Sequence, residues 1–179
     1  SLQFRTAPGT IAVVDGATAA EANRSVQTST ADVVIINSGG RTLSPEEQIQ
    51  LAGWLGDPQV VAVGPKILLR DRTVREAGWV VADGEARACG FGLADATIPF
   101  LEVAREASAI GGDFLAIRRN QFLGAGGFDT SLSTTHAGVH MSLRLRQNTG
   151  GVCVVEPSVT LSLPDSETWT PSVSASGFA

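Results

Sequence analysis

The chain alternates short, wholly apolar runs with longer segments in which apolar residues return every three or four positions. "TIAVVD" (10–15) is a short apolar run closed by Asp15-Gly16, and "ATAAEANRSVQTSTA" (17–31) has the alanine content of a helix packed closely on a sheet. "DVVII" (32–36) shows no polar alternation, the habit of a strand buried on both faces as in parallel sheets. A helix then announces itself. Ser44 is placed to cap it, Pro45 fits the first helical position and Glu47 completes a capping box. Ile49, Ala52 and Leu55 form its apolar stripe, and Gly56-Asp57-Pro58 stops it. "QVVAVGPKILL" (59–69) is a second buried strand, and "GWVVADGEARACGFG" (78–92) reads as a hairpin or an excursion over the sheet edge. "ASAIGGDFLAIRRNQFLGAGGFD" (107–129) contains a strand and then a short helix from about Asn120, ended by Gly126 and Gly127. In "GVHMSLRLRQNTGG" (138–151) the apolar residues alternate like a strand but also stack at i to i+4. The Gly150-Gly151 stop and the strand-like "VCVVEPSVTL" that follows favour a helix.

These segments predict an α/β layer structure of one compact unit over residues 1–164. The small, polar stretch 165–179 is expected to be a tail or linker. At 179 residues and 43% apolar content the chain can fill one core. Net charge is −5 and the thirteen basic residues are scattered, which argues against a nucleic-acid partner. The longest apolar runs are strand-sized, far below the roughly 20 residues of a membrane-spanning helix. No signal peptide is recognisable and targeting sequence could have been cut away, so cytoplasmic localisation is the expectation. Cys89 and Cys153 fit no C-x-x-C spacing and read as buried thiols rather than a disulfide or a nucleophile.

The loop between the "DVVII" strand and the Ser44 helix, Asn37-Ser38-Gly39-Gly40, is where an α/β protein usually seats a ligand phosphate or a metal. Its spacing matches neither G-x-G-x-x-G nor the P-loop. No lysine follows, the single lysine being Lys66 in "GPKIL".

Three stretches in order, "AAEANRSVQTSTADVVIINSGGRTLSP", "DPQVVAVGPKILLRDRTVREAG" and "IGGDFLAIRRNQFLGAGGFDTSL", resemble the inverting nucleotide-sugar glycosyltransferases of family two, particularly the bacterial rhamnosyltransferase-like branch. The match runs from about residue 17 to 163. The resemblance implies a GT-A type αβα sandwich with a mostly parallel sheet, a nucleotide-binding half preceding an acceptor-binding half. The first strand, first helix and acidic nucleotide-contacting strand ends of that family should precede Ala17, so the expected fold is N-terminally truncated and lacks most of the base and ribose pocket.

The resemblance also places a D-x-D type motif at the end of the "VVIIN" strand, where a divalent cation bridging two phosphates wants negatively charged oxygen ligands. Here the donor-binding slots hold Asn37, Ser38, Gly39 and Gly40. The family's general base belongs to an acidic stretch ahead of the last helix, matched here by Ala137, Gly138, Val139 and His140. His140 lies two positions beyond the usual base and reads either as a replacement base or as a partly exposed helix residue. A later family histidine is replaced by Ser162 or a neighbour. Asp129 in "GGFD" matches the family and is either near an acceptor or a turn residue. Asp113 is a candidate relocated acid, against edge exposure or pairing with Arg118 or Arg119. Arg118-Arg119 itself is expected to straddle the sheet.

Two functions follow. One is a degenerate glycosyltransferase-like domain, kept as a packing or interaction module of a larger protein or homo-oligomer, with no metal. The other is an active transferase moving a sugar from a nucleotide-sugar donor to a glycan, using Mn or Mg, its donor site completed from outside this chain. The first is preferred because both carboxylate clusters are lost while the apolar framework persists.

Overall fold

A computed structural model describes residues 2–95, 98–163 and 169–178. Strand β1 (Ile11–Asp15) leads into helix α1 (Ala19–Thr28), capped by the Thr18 hydroxyl, and then β2 (Val33–Asn37). Helix α2 (Pro45–Gly53) starts as its sequence predicts: Ser44 accepts from the Glu47 amide while the Glu47 carboxylate accepts from the Ser44 amide. A single 3-10 turn (Trp54–Gly56) carries the chain into the long buried strand β3 (Val60–Leu68). Next come β4 (Val74–Glu76), the hairpin of β5 (Trp79–Ala82) and β6 (Glu85–Ala88), and the short β7 (Arg105–Ala107). Strand β8 (Phe114–Arg118) runs directly into α3 (Arg119–Gly124). Helix α4 (Thr134–Thr149) settles the ambiguous segment as helical and ends at Gly150, whose φ of 70° is the left-handed cap glycine supplies cheaply. Strand β9 (Val152–Ser162) and the short β10 (Ser172–Ser174) complete the chain.

The main sheet has the order β1-β2-β8-β3-β9-β7, with β4 also on β3. β1 with β2 and β3 with β9 are parallel pairs, so the longer strands share one direction; β8 is inserted against both its neighbours. Alternation along each strand divides the core into two layers. Val33, Ile35, Phe114 and Ala116 meet Leu51 and Ala52 of α2 and Leu55 of the 3-10 turn on one face. Val34, Ile36, Leu115 and Ile117 meet α1, α3 and α4 through Ala22, Val26, Phe122 and Met141 on the other. This is the expected αβα sandwich, and each fully buried leucine or isoleucine contributes roughly 1.5–3 kcal/mol to it.

The adjacent arginines straddle the sheet. Arg118 donates to the carbonyls of Leu55, Asp57 and Val60 at 2.5, 2.8 and 2.8 Å, tying down the end of the α2 layer. Arg119 donates to Val26 and Gln27 at 3.0 Å, holding the C-terminal carbonyls of α1 on the opposite face. Neither pairs with Asp113. Burial lowers the Arg118 pKa, with the charge of Asp57 opposing.

Residues 169–178, expected to belong to a polar tail or linker, instead pack on the body. β10 pairs antiparallel with β6 in a second, three-stranded sheet, and Ala175 is buried. The composition is that of a linker, but alternate small side chains fit an edge of the hairpin that sequence could not show to be free. The remaining tail residues lie outside those described.

Replacing Arg118 by Met removes three charge-assisted bonds to half-buried carbonyls and is expected to cost roughly 2–4 kcal/mol. Urea unfolding at neutral pH, with an unchanged slope, measures it.

Candidate functional site

The carboxyl ends of β1 and β2, the start of β8 and the N-terminus of α4 converge on a cavity of about 260 Å³. Open α/β sheets place ligands outside such strand ends, although roughly 300–1,000 Å³ is usual for a small-molecule pocket. Ala17, Ser38, Gly39, Arg75 and Asp113 line it with the Ser133–Thr135 start of α4, Leu163 and Trp169.

Of the predicted donor-binding residues, Ser38 and Gly39 line the cavity and Asn37 stands just behind. Their polar groups are turned inward. Asn37 donates to the Arg41 carbonyl and accepts from the Gly39 amide at 3.1 Å, closing the loop on itself. The Ser38 amide donates to the Asp113 carbonyl at 2.8 Å, and its hydroxyl donates to Asp113 Oδ1 at 2.6 Å. A side chain at Gly39 would collide with Leu163 and the ring of Phe114, so the loop lies flat on the core.

Asp113 corrects the sequence reading. It is only 7% exposed and pairs with neither Arg118 nor Arg119. Its Oδ2 accepts from Thr135 Oγ1 at 2.5 Å and forms an ion pair with Arg75 at 3.0 Å. Because β8 runs antiparallel to β2, the residue preceding β8 falls beside the residue following β2. No register of the loop itself supplies a carboxylate, yet the fold brings one there from 75 positions away. Asp15 also ends a strand at this edge, opposite Asn37 in the register, but it is exposed and does not line the cavity.

Arg75 and its neighbour Glu76 were not singled out from sequence. The signal was a charged pair inside the apolar frame "TVREAG", where side chains at a sheet are expected to be buried. Arg75 donates to Thr135 Oγ1 at 3.2 Å, and the face of Trp169 covers its guanidinium at 4.8 Å. Glu76 is 2% exposed, and its Oε2 has no hydrogen-bond partner among the described residues. Burial, reinforced by the nearby Asp113 charge and opposed by Arg75, pushes its carboxyl up to about 7.

The general-base slots are filled by packing. Ala137 belongs to the core, and Gly138 lies backbone to backbone against Gly111 and Gly112. The Gly112 amide donates to the Thr135 carbonyl at 3.1 Å across that contact. Not even a Cβ fits at position 138, so no carboxylate can stand there unless α4 moves away.

The other candidates lie elsewhere. Asp129 Oδ1 accepts from the amide and hydroxyl of Ser131 at 2.9 and 2.7 Å, and these bonds hold its carboxyl below the usual range. It is a turn residue. His140 Nε2 donates to the Ser174 carbonyl at 2.9 Å and its ring meets Phe178, so it serves the C-terminal segment and not the cavity. Ser162 is exposed on β9. Both cysteines are free; Cys153 is buried and its thiol is pushed by burial to about 12, whereas Cys89 is only half-buried.

A divalent cation with a diphosphate does not fit this donor set. Asn37 and Ser38 are committed within the protein, and Asp113 is already neutralised by Arg75. Among the described residues no three His, Cys, Asp or Glu side chains are grouped to hold a metal.

No protein-family model and no curated relative matches the sequence. Solved structures match the fold. GalNAc-T7 with UDP, GalNAc and Mn2+ superposes with a TM-score of 0.55 at 14% identity, over 83% of this chain and 30% of that one. The mannosyltransferase PcManGT from Pyrobaculum calidifontis, in complex with GDP-Man and Mn2+, gives a TM-score of 0.48 at 18% identity, over 84% of this chain and 37% of its own. This chain thus spans about a third of the length of the GalNAc-T7 structure, and what it shares with it is the GT-A type α/β fold.

Proposed function

We propose that this chain is a catalytically silent GT-A type domain, of family-two and rhamnosyltransferase-like ancestry, that serves as a packing or interaction module. The observation that carries the reading is the contact of Gly138 with Gly111-Gly112. The helix that should carry a base is closed onto the loop beneath it, and the space for a carboxylate no longer exists. A positioned base contributes typically 10²–10⁴-fold and a metal several kcal/mol more to such chemistry, and the donor set beside Ser38 replaces neither. The resemblance in "VGPKIL…REAG" and "RRNQF…GGFD" supports the ancestry, since those segments build much of β3, β4 and α3 in the frame of the fold.

An open sheet margin supports the interaction role. Among the described residues β1 has a strand partner on one side only, and Val13, Ile49 and Phe4 stand 37%, 55% and 45% exposed along that margin. A second copy, or a neighbouring domain of a longer protein, would cover them.

Calorimetric titration with MnCl2 together with UDP or GDP is expected to give no saturable heat, and incubation with UDP- or GDP-sugars no manganese-dependent turnover. Manganese-dependent binding or turnover would overturn the reading of silence. Multi-angle light scattering tests the margin: mean mass is expected to rise with protein concentration, and Val13→Lys is expected to hold the chain monomeric.

The Glu76 carboxyl gives the closed cluster a pH signature. Its folded pKa of about 7 lies above the ordinary 4.5, so the folded state holds the proton longer than the unfolded chain. Its contribution is therefore most favourable below about pH 4.5, declines as pH rises, and levels off above about 7. The loss is on the order of 3 kcal/mol. Glu76→Gln cannot ionise, so its stability relative to the wild type is expected to rise by about that amount between pH 4.5 and 8 in urea unfolding.

A further inference from the structure

We infer that residues 169–178 form a releasable strap that closes the cavity at the carboxyl end of the sheet, with Trp169 as its latch. Trp169 forms one wall of the cavity and lies over Arg75, the residue that neutralises Asp113. The indole thus shields the Arg75 side of the cavity. The closure comes from the chain itself.

The attachments of the strap are local and separate from the main core. Pro171 accepts from the Ala88 amide at 2.8 Å, three residues pair with β6, and the Ala175 amide donates to Gly84 at 2.8 Å. Both histidines of the chain donate through Nε2 to strap carbonyls, His136 to Thr170 at 3.2 Å and His140 to Ser174 at 2.9 Å. Ala175, Val173 and Phe178 pack with Trp79, Val139 and Leu143 in a third apolar cluster, distinct from the two that sandwich the sheet. Among the described residues, the strap's backbone pairings run to the hairpin, itself outside the seven-stranded sheet. An element held this way can open without unfolding the sandwich, as local units of low stability do.

The latch is also imperfect. Trp169 Nε1 is buried without an acceptor among the described residues, a desolvation cost that the open form relieves. Its gains are the cation–π contact with Arg75 and a tilted stack on Phe91 at 5.2 Å. With its packing beside the third apolar cluster, these are contacts of one side chain, so a single substitution removes the latch while the pairing with β6 remains.

This inference is independent of whether the domain transfers sugar, and its test uses no nucleotide. Amide hydrogen exchange on the full chain reports the strap through Ala88 and Ala175 and the core through Ile35 of β2. The strap amides are expected to exchange at least 100-fold faster than Ile35, and Trp169→Ala is expected to speed them about tenfold more while leaving Ile35 unchanged. In a Cys89→Ser background, a thiol placed in the cavity by Thr134→Cys is expected to react with a maleimide about tenfold faster once Trp169→Ala is added. Strap amides that exchange at the Ile35 rate, or a Trp169→Ala effect shared equally with Ile35, would make residues 169–178 an integral part of the fold. A labelling rate indifferent to Trp169 would refute the gating role. Should Trp169→Ala not fold, the wild-type exchange rates and the milder Trp169→Phe decide between the same outcomes.

Discussion

The Asp113 carboxylate is the point on which this end of the molecule depends. It accepts from Ser38 in the loop after β2 and from Thr135 in the first turn of α4, and pairs with Arg75 on β4. Four segments remote in sequence are held by one side chain, and every partner is itself committed. A buried ion pair of this kind adds little net stability over apolar packing, but removing one partner strands the other and costs roughly 3–5 kcal/mol. What it supplies is definition: one arrangement of loop, strand and helix.

The same arrangement leaves the cavity without a carboxylate free to take a ligand, which supports the proposed silence of the domain. A carboxylate that is to bind a cation must keep oxygen lone pairs free and face the ligand. Both Asp113 carboxylate oxygens already accept hydrogen bonds, and Arg75 balances the charge. Glycines 111, 112 and 138 let α4 settle onto the loop ahead of β8, closer than any residue with a side chain would permit. Glu76 Oε2, buried beneath the cluster without a hydrogen-bond partner among the described residues, is the residual cost of that closure, and burial raises its carboxyl to about 7.

The closure extends outward through Arg75 to Trp169, and through the histidines of α4 to the C-terminal segment. At the opposite end of the sheet two adjacent arginines do the fastening, one to each flanking layer. The sandwich is therefore pinned at both ends by guanidinium groups, one pair reaching backbone carbonyls and one reaching a carboxylate. Arginine suits both tasks because its fork offers several donors in a fixed plane.

Much of the framework was legible in the chain. Unbroken apolar runs identified β2, β3 and β9, Ser44-Pro45-Glu47 set the start of α2, and Gly150 set the end of α4, because burial, capping and backbone conformation are local properties with local signatures. The absence of carboxylates at Asn37 and Gly138, where the resemblance expects them, was also visible, since residue identity needs no coordinates. Tertiary structure alone decided what took their place. Direction of a buried strand leaves no mark on its composition, so the antiparallel insertion of β8, and with it the arrival of Asp113 beside Ser38, could not be read. Nor could the pairing of Arg75, the burial of Glu76 or the docking of a linker-like tail. Each depends on which distant surface a side chain meets, and a sequence records the side chain but not the surface.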